Sequence, residues 1–220
     1  MKKTKYADPL PGPKIIKKIQ LPEAKRRFPG DTLVEQIINC TNSIDDHVLF
    51  EKARSYAKNS LSKFKSDTSR KALNFLRTKK FFIEHGEDFY TSFTVNPVRD
   101  GKGGFDISYV HLIGMYTDKG YIYVTYNKLK RTSCFTAHVF DRVVQRCGLP
   151  NRKDAIKEFL SYIGSSSDIE YNKINTDETA INFSLGALLG NIINKDPEIA
   201  LYKTFINKDM INSDQQPWMT

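Results

Sequence analysis

The chain reads as an α+β protein, a helical N-terminal part followed by a largely antiparallel sheet with two inserted helices. Three observations predict this. Helical periodicity dominates residues 31–83, and period-two alternation takes over near residue 90. Two amphipathic segments at 137–163 then separate the first strands from three more strand-like runs. With 220 residues, 40% of them hydrophobic and including 14 Phe and 11 Tyr, the chain can bury a substantial core.

The first helix is expected from Asp31-Thr32-Leu33-Val34-Glu35-Gln36-Ile37-Ile38. A longer one follows from about Asp45 to Leu61, with Val48, Leu49, Ala53, Tyr56, Ala57 and Leu61 on its apolar side. Ser66-Asp67-Thr68-Ser69 offers caps for a third, which uses Ala72, Leu73, Phe75 and Leu76 and ends near Phe82. Its outer face carries Arg70, Lys71, Arg77, Lys79 and Lys80. Tyr90 to Val98 reads as a strand stopping around Pro97, and Asp100-Gly101-Lys102-Gly103-Gly104 as a turn. Phe105 to Tyr116 and Tyr121 to Tyr126, joined by Asp118-Lys119-Gly120, form the clearest hairpin. A helix opened by Thr136 and stopped by Gly148 comes next, then one from Arg152 to Ile163 with Asn151 as its cap. Strands are expected over Glu178–Leu185, Ala187–Ile193 and Glu198–Ile206. The organisation is therefore a basic, Pro-containing arm (1–30), a helical region (31–85), an α+β domain (86–212) and a frayed tail (213–220).

The net charge of +9 is unevenly placed. Residues 1–30 hold nine Lys or Arg against Asp8 and Glu23, a net +7. Such an arm suits contact with nucleic acid or another polyanion. No apolar run approaches the roughly 18 residues of a membrane helix. Pro9, Pro11 and Pro13 fall where a signal peptide needs its apolar stretch. Cys40, Cys134 and Cys147 are odd in number and widely spaced, so a cytoplasmic protein without disulfides is expected. No set of four ligands is visible, and neither metal nor cofactor is expected.

The segment Thr136 to Gly148 carries the candidate chemistry. At about 100° per residue, His138, Arg142 and Arg146 share one face, with Asp141 and Gln145 on the same arc. Val139, Phe140, Val143, Val144 and Cys147 fill the other. An imidazole near a helix start, beside two fixed cations, suits phosphate handling. His138 would serve as general acid or base, and Arg142 and Arg146 as planar forks for phosphate oxygens. Lys203 and Thr204 on the last strand are candidates for further phosphate contacts. Tyr123, Lys128 and Arg131, in and after the tyrosine-rich hairpin, are candidates for base stacking and backbone contact.

A His-x3-Arg-x3-Arg helix before an antiparallel sheet resembles the small ribonuclease toxins of the RelE and BrnT type, over residues 134–206. Here the order is Ala137-His138 rather than His-Ala, and the hairpin precedes the helix. The resemblance implies metal-independent RNA cleavage by His138, Arg142 and Arg146. The rival from another class is a non-catalytic nucleic-acid or protein-binding accessory protein of a phage or mobile element. The two separate on whether His138 and the arginines converge in a cleft or face open solvent.

Overall fold

The structure is a computed structural model, and it describes residues 10–11, 26–62, 71–72, 74–75, 81–86, 88–97, 105–127, 132–163, 171–173 and 176–210. Among them are helices α1 (Leu33–Asn42), α2 (Asp46–Leu61), α3 (Ala137–Cys147) and α4 (Arg152–Ile163). The strands are β1 (Leu10–Pro11), β2 (Phe81–Glu84), β3 (Phe89–Pro97), β4 (Phe105–Thr117), β5 (Gly120–Asn127) and β6 (Thr132–Thr136), followed after α4 by β7 (Tyr171–Lys173), β8 (Glu178–Phe183), β9 (Gly186–Lys195) and β10 (Glu198–Asn207). They form one sheet in the order β1-β2-β3-β4-β5-β6-β10-β9-β8-β7. Neighbours are antiparallel except β1 with β2 and β6 with β10. The α+β class is thus observed, with a predominantly antiparallel sheet.

The sheet separates two helical layers, as strand alternation dictates. Ile122, Val124 and Cys134 join Ile37 and Cys40 of α1 in one apolar cluster, while Phe81, Ile83, Phe93, Val95 and Ile107 pack with Ala53 and Ala57 of α2. On the opposite face Tyr123, Phe135 and Tyr202 meet Val139, Phe140 and Val143 of α3 and Ile156, Phe159 and Leu160 of α4. Each helix has a local cause. Thr32 and Glu35 form a reciprocal capping box at α1, and Asp45 accepts from the Val48 amide at α2. Asn151 accepts from the Asp154 amide at 3.0 Å, and Gly148 ends α3 in the left-handed region at φ 64°. Thr136 occupies the N-cap position of α3, but its hydroxyl makes no capping hydrogen bond.

Three expectations need correction. Phe81–Glu84 is not the end of a helix but strand β2, its Phe81 and Ile83 buried under α2 and its Phe82 buried on the other face. The segment before α3, for which the sequence predicts no element, is strand β6, whose first four residues are buried. Val48 of α2, expected on the apolar side, is 40% exposed. The rest of the third expected helix, apart from helical residues 71–72 and 74–75, lies outside the described residues. Arg26 to Gly30, assigned to the arm by charge, lie against the body. Arg26 is buried, its carbonyl accepts from the Tyr116 amide, and the Gly30 carbonyl accepts from Gln36 of α1. Among the described residues no helix is long and apolar enough to cross a membrane.

Candidate functional site

α3 follows β6 without a loop, and this decides what its polar face meets. β10 pairs with β6 only from Ile199 to Tyr202, so the rest of its edge on that side continues past the end of the ladder. The outer face of α3 covers that stretch. Arg142 donates to the Thr204 hydroxyl at 3.4 Å, and Arg146 donates to the Phe205 carbonyl. A strand edge presents peptide groups that need partners, and here an arginine supplies one. Arg146 is half-buried by this contact, whereas Arg142 remains exposed. Between Tyr202, opposite Gly190, and Thr204, opposite Leu189, Lys203 is the extra residue of a β-bulge, and it is exposed.

His138 stands apart from this junction. Its side chain is 86% exposed, and its Nδ1 lies 4.0 Å from Asp141 Oδ2, beyond hydrogen-bond distance. Asp141 is held from the other side by Arg152 of α4, with Nε 2.9 Å from Oδ1 and Nη2 3.0 Å from Oδ2. The carboxylate that would orient the imidazole is instead the clasp between two helices. The structure therefore joins Arg142 to Thr204, leaves the neighbouring Lys203 exposed at the bulge, and leaves His138 unoriented on the same helix.

Two other groups of expected residues fare differently. Tyr123 is fully buried, its ring against Phe140 at 5.2 Å and its hydroxyl on Asp88, so it has no face for a base. Lys128 and Arg131 lie outside the described residues. Cys134 faces α1 from the centre of the sheet, and burial raises its thiol well above the usual range. In α4, Ala155, Ile156, Phe159, Leu160 and Ile163 are buried against the sheet. Among the described residues no three His, Cys, Asp or Glu side chains gather as metal ligands.

A polar centre that the sequence does not announce lies nearby, at Asp88. This residue adopts φ 52° in the turn between β2 and β3, and its carbonyl accepts from the Gly114 amide at 2.7 Å. Its carboxylate receives the hydroxyls of Tyr121 at 2.7 Å, Tyr123 at 3.1 Å and Tyr90 at 3.4 Å. Burial, and then the Asp88 charge, raise all three phenols far above their ordinary range, so they act as fixed donors rather than nucleophiles. Tyr123 also faces Arg152, which continues the chain of contacts to Asp141. The one available signal is that Tyr121 and Tyr123 share a strand face. Buried phenols require an acceptor, but nothing local says that Asp88, more than thirty residues earlier, supplies it. No protein-family model, curated protein or solved structure matches the chain.

Proposed function

We propose that the chain is a nucleic-acid-binding module that holds a phosphate backbone across the α3–β10 edge, with the basic N-terminal arm as a second electrostatic contact. The observation that carries this reading is the meeting of exposed Arg142 with Thr204, next to the bulged and exposed Lys203. Two cations and a hydroxyl along one edge suit phosphate oxygens, which need donors and positive charge rather than a shaped cavity. The uneven charge, +7 of the net +9 in residues 1–30, supports a polyanionic partner. RNA is the form favoured by the resemblance of the His-x3-Arg-x3-Arg helix. A cytoplasmic setting agrees with three free cysteines.

Binding without cleavage is favoured by the surroundings of His138. A general base works when a second group fixes its tautomer and aims it at a proton. His138 has an exposed ring, and its neighbour Asp141 is engaged by Arg152. Arg146 is likewise engaged, by a backbone carbonyl. The chain then fits the accessory-protein reading better than the ribonuclease reading.

The test is fluorescence anisotropy with labelled single-stranded RNA, single-stranded DNA and duplex DNA over a range of salt. A gel assay for RNA cleavage in EDTA accompanies it. Arg142→Ala and Lys203→Ala should each weaken binding irrespective of sequence and lower the salt slope by roughly 1. His138→Ala should change binding little, and the wild type should leave RNA intact. RNA cleavage in EDTA that disappears in His138→Ala would overturn this reading in favour of the metal-independent ribonuclease. Absence of salt-dependent binding to any of the three probes would overturn both.

A further inference from the structure

The end of the sheet at which α3 begins carries an aromatic surface that the phosphate edge does not use. The pairing of β4 with β3 stops at Ile113, and further along β4 Tyr116 forms a parallel bridge with Arg27. The Tyr116 amide donates to the Arg26 carbonyl at 2.8 Å. Successive residues of an extended chain point to opposite faces. Arg26 is accordingly buried over the ring of Phe89, in the cluster under α1. Arg27 is exposed and lies over the Tyr116 ring, its guanidinium carbon 5.7 Å from the centroid. Tyr116 pairs with Tyr121, which packs on the α3–α4 core, and the two rings meet in a T-shape with centroids 4.7 Å apart.

Tyr116 differs from the tyrosines beside it. The hydroxyls of Tyr90, Tyr121 and Tyr123 are tied to Asp88, whereas that of Tyr116 makes no hydrogen bond among the described residues. Its side chain is 37% exposed. Yet the ring is not loose, because Tyr121 props it and Asp88 fixes Tyr121 at 2.7 Å. A ring ordered in advance loses little freedom when a ligand covers it. Strand register then relates this ring to the phosphate edge. Ile122 pairs with Thr136, so Tyr121 lies one residue past the end of β6, where α3 starts. Phe135 pairs with Tyr202, so Lys203 and Thr204 lie past that same end. Tyr116 and the Arg142–Thr204 contact therefore flank the start of α3. Three strand spacings separate β4 from β10, about 14 Å, a distance within reach of the roughly 4–16 nucleotides that single-strand-binding surfaces engage. Exposed Arg27 and Lys119 add positive charge at the aromatic side, while Asp118 of the same turn accepts from Gln36 at 3.0 Å.

We propose that Tyr116 is a base-stacking platform and that this surface takes single-stranded nucleic acid, one base lying on the Tyr116 ring while Arg142 and Lys203 hold phosphates further along the strand. The inference rests on the phosphate edge put forward above and names the form of nucleic acid that the edge receives. Arg27 covers the ring in the free protein. A base takes its place, and the guanidinium turns to the adjoining phosphate. The exchange conserves the kind of contact, since a guanidinium and a base each lay a flat face on a π-system. A duplex has no base to offer, because its bases are already stacked on one another. The platform is indifferent to sequence, as every base has a π-face.

The experiment is fluorescence anisotropy of the full chain with a labelled single-stranded RNA of about 12 nucleotides, within the site sizes of such surfaces. The same strand with abasic sugars, and its blunt duplex, are measured beside it. The wild type should bind the intact strand at least about fivefold more tightly than the abasic one, the share of one stacked base, and more tightly than the duplex. Tyr116→Leu should lower the intact strand to the level of the abasic one and leave the salt slope unchanged, because the ring meets no phosphate. Tyr116→Phe should bind as the wild type does. Arg142→Ala should lower the slope and keep the ratio between intact and abasic strands. Irradiation of the wild type with a strand carrying 5-iodouridine should cross-link the peptide that contains Tyr116, a readout that needs no variant to fold. Equal affinity for intact and abasic strands overturns the proposal and leaves the phosphate edge standing, as does a preference that survives in Tyr116→Leu. A cross-link confined to other peptides overturns it too. A duplex bound as tightly as the single strand shows the single-strand assignment to be wrong. Unchanged affinity and slope in Arg142→Ala, with the preference still lost in Tyr116→Leu, would remove the edge and keep the platform. Absence of binding to all three probes overturns both.

Discussion

Buried His85 makes stability depend on acidity in a direction that can be worked out. Its proton affinity falls from the ordinary 6.5 to about 3, chiefly through burial and then through the positive charges of His111, Lys52 and Arg26. In the unfolded chain the imidazole takes up a proton as the pH drops through 6.5, whereas in the folded chain it does so only near 3. The contribution of His85 is therefore fully present above pH 6.5 and is lost progressively toward pH 3. At pH 7 the two states differ little. At pH 5 the unfolded state has gained about 2 kcal/mol from this one group, at 1.36 kcal/mol per pH unit below 6.5. The assay is urea denaturation followed by circular dichroism at pH 7 and pH 5, in buffer without phosphate or acetate, for the wild type and His85→Gln. Carboxylates titrate in both proteins and cancel in the comparison. The wild type should lose about 2 kcal/mol more than the variant over this interval. Equal losses would show that the His85 ring is not sealed from solvent and would refute the placement of β2 against the α2 face.

Three further outcomes test the packing and the surface. Gly114→Ala should destabilise the fold by about 2–3 kcal/mol in urea melts, because the added methyl would sit 2.1 Å from the Tyr121 hydroxyl and 2.8 Å from Asp88 Cβ. Unchanged stability would mean that the tyrosine–aspartate centre is loose. Val143→Asp should cost several kcal/mol, since Val143 is 1% exposed among the aromatic residues of α3 and α4, while Gln145→Asp on the exposed arc should be nearly neutral. Equal melting temperatures would reverse the assigned faces of α3. Deleting residues 1–9, which hold Lys2, Lys3 and Lys5 and precede β1, should weaken RNA binding and flatten its log–log salt slope by up to about 2. An unchanged slope would assign this part of the arm no electrostatic role.

Much of the fold is legible in the sequence where a single physical signal dominates. The β4–β5 hairpin shows strict alternation around Asp118-Lys119-Gly120, and α3 has a clean apolar arc ended by a left-handed glycine. β6 is invisible for the opposite reason. Ser133, Cys134 and Phe135 are buried on both faces of a central strand, so no polar–apolar alternation exists to be read. β2 is four residues long and follows two lysines at the end of a helical pattern, which absorbs it. The Asp88 centre and the contacts of the Thr91 hydroxyl with His85 and His111 are set by register between strands. Thr91 opposite His111 is a fact about the pairing of β3 with β4, and no spacing along the chain encodes it.

The His138–Arg142–Arg146 alignment shows how a correct local inference can point to the wrong chemistry. The three residues do share the outer face of α3, as the helical period requires. What periodicity does not specify is the neighbour of that face. Since β6 turns directly into α3, the β6–β10 ladder ends at Tyr202, and the arginines of α3 reach the β10 residues beyond it. The residues there must satisfy a strand edge as well as meet solvent. Arginine suits both tasks, with a long stem to reach the sheet and several donors for carbonyls. Arg146 is engaged by the Phe205 carbonyl and Asp141 by Arg152, so two of the polar groups on this face already serve the fold. Among the described residues of this face only Arg142 both touches the β10 edge and stays exposed, and Lys203, the extra residue of the bulge beside it, is exposed as well. The capacity to bind an anion at this edge thus rests on a helix side chain and a strand irregularity together, and the imidazole that prompted the catalytic reading is the residue of the three with the least to hold it.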